Sequence, residues 1–209
     1  MVKKFSALAC VLVLVLSLAS SGCTVILQKG RRTDVERISR LKSELSELDR
    51  AKKELEDKLS QEIADKQVKV EMLEKGLVIT FVAEVLFDSG KADLKGDSLE
   101  KLDKVSKVVL SVVPDLNIGI EGHTDNEPIK YSGWKSNWEL SSGRALSVVH
   151  YLIEKGLSPE RLAAIAYGEF RPVASNDLKE GKQKNRRVEI VILPRVVKKV
   201  AEEAEANGS

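Results

Sequence analysis

Apolar and polar positions divide the chain into stretches of different texture. Ala7 to Ala19 is a run of thirteen mostly aliphatic residues behind Lys3 and Lys4. A bilayer-spanning helix needs roughly 20 apolar residues. A shorter run that gives way to Ser20-Ser21-Gly22-Cys23 predicts a secretory leader over residues 1–22 instead.

From Arg31 to Lys75 the chain has no Gly and no Pro, and acidic and basic residues are dense and balanced. Ile38, Leu41, Leu45, Leu48, Leu55 and Leu59 follow a heptad, with Lys52 at its one charged a position. Glu54–Lys58, Glu62–Lys66 and Glu71–Lys75 are spaced as i, i+4 pairs. These features predict one helix over 33–75, ended by Gly76. At 1.5 Å per residue it would span ~65 Å. Two uses of it stand side by side: a coiled-coil seam joining copies of the chain through 38–59, or a single solvated spacer.

After Gly76 the pattern shortens. Leu77 to Val82 is β-branched and reads as a strand. Leu99, Leu102, Val105, Val109 and Val112 mark a helix that Pro114 stops. Leu116 to Glu121 is a second strand. Ser136 and Glu139 form a capping box for a helix reaching about Lys155, with Gly156 beyond it. Arg161–Tyr167 and Arg187–Leu193 are two further strands. The order β-α-β-α-β-β over 77–194 predicts an α/β (α+β sandwich) domain with helices on one face of a mixed sheet. The charged segment 195–209 is expected to fray.

Composition narrows the function. A formal charge of +2 excludes a nucleic-acid binder that relies on a basic field. Two His and two Cys are few for a four-ligand zinc site. No nucleophile elbow is present, and no enzyme and no cofactor is expected. Arg144 lies on the helical row Leu140, Val148, Leu152, where a permanent cation needs a partner. Two partners are open: Asp125, at the end of a strand, or a bound ligand.

The domain carries four ordered motifs. They are Gly122-His-Thr-Asp125, then Asn137-x-x-Leu140-Ser141-x-x-Arg144-Ala145, then Tyr167-Gly168-Glu169 with Pro172, then Asn185-Arg-Arg-Val-Glu189. Together they resemble the OmpA C-terminal-like (OmpA/MotB) peptidoglycan-binding domain. The resemblance implies non-covalent binding of the peptidoglycan stem peptide at its diaminopimelate. Asp125 and Arg144 are the implied ligand-gripping pair, with Thr124, Asn126, Asn137, Phe87, Asp88 and Arg187 as lesser contributors. Arg187 is also read as a neutraliser of a buried acid, Asn137 as a simple cap, and His123 as structural. The segment 127–135 lengthens the spacing from Asp125 to Arg144, and Trp134 and Trp138 are read as covering the domain edge or a partner, or as packing in the core.

Small residues before Cys23 resemble a bacterial lipobox, although Ser20 stands where Leu is usual. That implies acylation of Cys23, a lipidated anchor and linker over 23–32, and loss of Cys10 with the leader. Thr24 in place of Asp implies delivery to the outer membrane. The expected protein is an outer-membrane lipoprotein tethered to the wall, its domain in the periplasm. Its expected partners are peptidoglycan, the membrane, a further copy of the chain and other envelope proteins. The rivals are a coiled-coil scaffold docking a protein partner, a peptidoglycan-processing enzyme, and a flagellar stator subunit. The last needs a spanning helix that carries an acid, which the apolar run does not.

Overall fold

Leu77, Ile79 and Phe81 lie opposite Ile192, Ile190 and Val188 on neighbouring antiparallel strands. Ile118 and Ile120 face Ile192 and Ile190 from the other side. This apolar layer is the centre of the fold in the computed structural model, which describes residues 34–130 and 132–195. The leader, Cys23 with its linker, and the tail beyond Arg195 lie outside the described residues.

In chain order the elements are α1 (residues 34–58), α2 (Ser60–Ala64), β1 (Val68–Leu73), β2 (Gly76–Val82) and α3 (Ala83–Leu86). There follow α4 (Gly96–Val112), β3 (Asn117–His123), α5 (Asn137–Glu154), β4 (Leu162–Gly168), α6 (Lys179–Asn185) and β5 (Arg187–Leu193). The sheet order is β1-β2-β5-β3-β4. Only β3 and β4 pair in parallel, joined through α5. The sheet is therefore mixed, as expected. Leu102, Val105 and Val109 of α4 and Val148 and Leu152 of α5 complete the apolar core.

The long charged segment departs from the predicted rod. Helix ends by Ala64, and Val68-Lys-Val-Glu-Met-Leu73 becomes an edge strand paired with β2. Its alternation of apolar and polar residues buries Val68 and Val70 beside Phe81 and Ile79, which a helix could not do. Gly76, at φ 126°, closes the hairpin. A Cβ there would lie 2.2 Å from the Ile192 carbonyl oxygen. Two of the expected i, i+4 pairs are replaced by tertiary ones. Glu62 binds Lys104 at 2.8 Å, and Lys75 binds Glu121 and Glu189, while Glu54–Lys58 forms at 3.7 Å.

The heptad is likewise divided. Leu48, Ala51, Leu55 and Leu59 are buried in the domain's own core, whereas Ile38, Leu41 and Leu45 are exposed. Residues from Glu44 onward belong to the domain's compact unit, and those before it form a separate one. A seam between copies running through to residue 59 is thus replaced, from Leu48 on, by packing within one chain. Two short helices, α3 and α6, were not legible as periodic patterns.

Candidate functional site

The parallel pair β3–β4 slips register between Gly122 and His123, so that His123 lies opposite Gly168. Such irregularities re-aim the residues that follow. The Thr124 N–H donates to the Gly168 carbonyl at 2.9 Å, and the Thr124 hydroxyl to the Asp125 carbonyl at 2.8 Å. Gly122 brings α5 against the strand end: a Cβ there would lie 2.1 Å from the Ser141 carbonyl oxygen. Only glycine permits this approach, and it brings Arg144, one turn beyond Ser141, to the same end of the sheet as Asp125.

Ser136 caps α5, accepting from the Glu139 N–H at 3.4 Å, while the Glu139 carboxylate accepts from the Lys135 N–H at 2.9 Å. The capping box is present, with its return bond one residue earlier than usual. Asn137 does more than cap. Its Nδ2 donates to Glu169 Oε2 at 2.6 Å and to the Glu127 carbonyl at 3.1 Å. It joins α5, the loop after β3 and the loop after β4.

These elements surround a cavity of about 560 Å³ lined by Asp125, Arg144, Thr124, Asn137, Phe87 and Asp88, and by Glu84 and Arg186. Arg144 is 4% exposed. Its Nε donates to the Lys91 carbonyl at 2.9 Å, and its guanidinium carbon lies 5.2 Å from the centre of the Phe87 ring. Among the described residues its two Nη groups have no hydrogen-bond partner. Burial pushes its pKa down to about 10, with the Glu84 carboxylate opposing, so it stays charged near neutrality.

Asp125 is 6% exposed. Oδ2 accepts from Arg186 Nη1 at 2.7 Å, and Oδ1 from the Glu127 N–H at 3.2 Å. Among the described residues, then, the salt bridge of Asp125 runs to Arg186, not to Arg144. Arg186 also grips Glu84 at 2.5 Å. Burial lowers the Arg186 pKa, but its bonds to Asp125 and Glu84 outweigh this and leave it raised.

Two predicted site residues do not line the cavity. Asn126 is exposed beside it. Arg187 is buried on the opposite face of the sheet, where its Nε donates to Glu189 Oε1 at 2.6 Å. It neutralises a buried acid, the alternative held open for it. Arg186 and Glu84 were missed. The signal for Arg186 was the strand period of two: Val188, Ile190 and Ile192 face the helices, so Arg186 lies on their side and Arg187 on the other. Asp88 sits at the rim in an exposed pair with Lys91 at 3.2 Å. The loop over 127–135 is tied down by Trp134 Nε1, which donates to the Gly90 carbonyl at 2.9 Å, and by a Lys182–Glu127 ion pair. Trp138 stacks on Phe170 at 5.3 Å.

Chemically, the cavity offers an unfilled guanidinium fork over an aromatic floor, beside a carboxylate held in place by a second guanidinium. It suits a small ligand bearing both a carboxylate and an ammonium.

Comparisons with known proteins bear on the family and the fold. The model of the OmpA family matches residues 86–186. Motility protein B of Bacillus subtilis is 41% identical over 150 residues, 71% of this chain and 57% of that protein. The uncharacterized protein YtxE of the same organism is 34% identical over 166 residues, 77% of this chain and 68% of its own length. The crystal structure of a putative MotB-like protein from Desulfovibrio vulgaris superposes with a TM-score of 0.67 at 25% identity, covering 73% of this chain and 94% of that one. The chain thus spans little more than half of the length of Motility protein B.

Proposed function

Because the chain belongs to the OmpA family, we propose that its cavity binds the peptide stem of peptidoglycan non-covalently and that Cys23, once acylated, ties the domain to the outer membrane. The observation that carries this reading is the Arg144 guanidinium, which is buried, charged and without a partner for its Nη groups among the described residues. A permanent cation so placed is satisfied by a carboxylate from outside. Diaminopimelate presents a carboxylate and an ammonium on one carbon. The carboxylate takes the Arg144 fork. The ammonium goes to the Asp125 side, where two acids, Asp125 and Glu84, flank Arg186. In this reading the protein holds its ligand non-covalently and acts as a tether.

Co-sedimentation with isolated sacculi tests the reading. The wild type should pellet, and folded Arg144→Ala should stay in solution. Equal pelleting of the two sinks it.

A second reading is favoured by the 41% identity to Motility protein B: a stator-type protein held in a membrane by a helix. Cys23→Ser separates the two. A lipoprotein loses lipid labelling and leaves the membrane fraction, whereas a helix-anchored protein stays in it. A scaffold that docks only a protein partner would not pellet with sacculi at all.

A further inference from the structure

We propose that Glu121, His123 and Glu189 form a binding site for one divalent transition-metal ion, with zinc the best fit, which the ammonium of Lys75 fills in the metal-free chain. The site lies on the sheet face opposite the helices, apart from the peptide cavity. Glu121 and Glu189 face each other across β3 and β5, and His123 is two residues along the same face. One donor atom from each of the three lies within 4.8 Å of the other two.

His123 supplies the second observation. It is 2% exposed, and neither ring nitrogen has a hydrogen-bond partner among the described residues. Its Nε2 points at Glu121 Oε2 from 3.8 Å. That is too long for a hydrogen bond. It is near the roughly 3.4 Å that separates two ligands on a tetrahedral zinc with bonds of about 2.1 Å. Stacking on Tyr167 at 5.1 Å fixes the ring plane.

The position of a cation is already marked. Lys75 Nζ lies 2.6 Å from Glu121 Oε2 and 2.6 Å from Glu189 Oε2. It reaches in from the β1–β2 turn and its side chain is 37% exposed, so it can withdraw to water still protonated. Arg187 holds the other oxygen of Glu189, leaving Oε2 to the ion and acting as outer support. One imidazole and two carboxylates favour zinc, cobalt or nickel over magnesium and calcium, which prefer all-oxygen sites.

The test uses the full chain, stripped with chelator and titrated with zinc, with cobalt as the spectroscopic probe. Wild type should bind one ion, melt at a higher temperature with zinc, and give the visible absorption of tetrahedral cobalt. His123→Gln should lose all three. If that variant does not fold, Glu121→Gln makes the same comparison. Lys75→Met should melt lower than wild type without metal yet bind zinc roughly tenfold tighter, because no ammonium has to be expelled. The proposal is overturned if zinc leaves wild type and Lys75→Met unchanged, or if the response survives in folded His123→Gln or Glu121→Gln.

Discussion

Arg186 donates from Nη1 to Asp125 Oδ2 at 2.7 Å, so the carboxylate expected to meet a ligand is already engaged from the other side. Arg186 is in turn gripped by Glu84 at 2.5 Å. The site is a chain of alternating charges, Glu84, Arg186, Asp125, with Arg144 set apart on the Phe87 ring. That separation leaves Arg144 outside the internal salt bridge that the sequence allowed for it.

Arg144→Ala should strongly weaken sacculus binding while the domain stays folded. Within the described residues its side chain makes one hydrogen bond, from Nε to the Lys91 carbonyl, and lies over Phe87. Loss of a charge-assisted pair with the ligand should cost about 2–4 kcal/mol. That is about 30- to 1000-fold in affinity. Arg144→Lys should recover only part, since an ammonium cannot fork onto a carboxylate. Melting temperature and pelleting, measured on the same samples, check both.

Arg186→Ala should weaken binding without removing a direct ligand contact. Asp125 would keep only the Glu127 N–H to orient it, and Glu84 would lose its partner. The expected signature is a moderate fall in both affinity and melting temperature. A neighbouring control, Arg187→Ala, should lower the melting temperature more and affinity less, because Arg187 serves Glu189 on the far face. Affinities that fall equally in the two variants would contradict this division.

Leu55→Ala should destabilise the domain by about 2–5 kcal/mol, the usual range for a fully buried leucine. Leu45→Lys should leave the melting temperature nearly unchanged, since Leu45 is 54% exposed. If copies associate through the exposed Ile38, Leu41 and Leu45, Leu45→Lys should lower the sedimentation mass. An unchanged mass would assign α1 to the domain alone.

Lys104→Met should show its effect only above acid pH. Burial raises the Glu62 pKa, but the hydrogen bond and charge of Lys104, a backbone hydrogen bond and the charge of Lys101 together outweigh this and hold it below the usual 4.5. A carboxyl with a depressed folded pKa contributes stability above its unfolded value and loses it as pH falls through the folded one. Thermal melts of variant and wild type should therefore differ at pH 7 and converge as the pH falls below the carboxylate range. A difference that persists at low pH would mean that lost packing of the lysine stem dominates.

Much of the site was legible because its residues are tied to local pattern. Asp125 ends a strand, Asn137 opens a capped helix, and Arg144 interrupts an apolar row, each a conflict between residue type and predicted position. Glu84 carried no such signal, since an acid after a strand is ordinary. For Arg186 and Arg187, order in the motif does not say which faces the helices. The strand period does, once the face of Val188 is known.

By itself, the sequence determined the four strands and the two long helices between Leu77 and Leu193, because strand and helix periods, caps and stops are short-range properties of consecutive residues. It also determined the helical start of the charged segment and the two charges of the site. Tertiary structure alone decided where that helix stops. Val68 to Leu73 sits in a stretch without Gly or Pro, and only the exposed edge of β2 draws it into a strand. Tertiary structure also decided whom the charges meet. Glu62 and Lys75 had local partners within one helical turn, yet they pair with Lys104 and with Glu121 and Glu189. An i, i+4 pair on a solvated helix is worth only a few tenths of a kcal/mol, about 0.2–0.5. Burying an apolar strand against a sheet is worth several times that, so the local pairs yield to the packing.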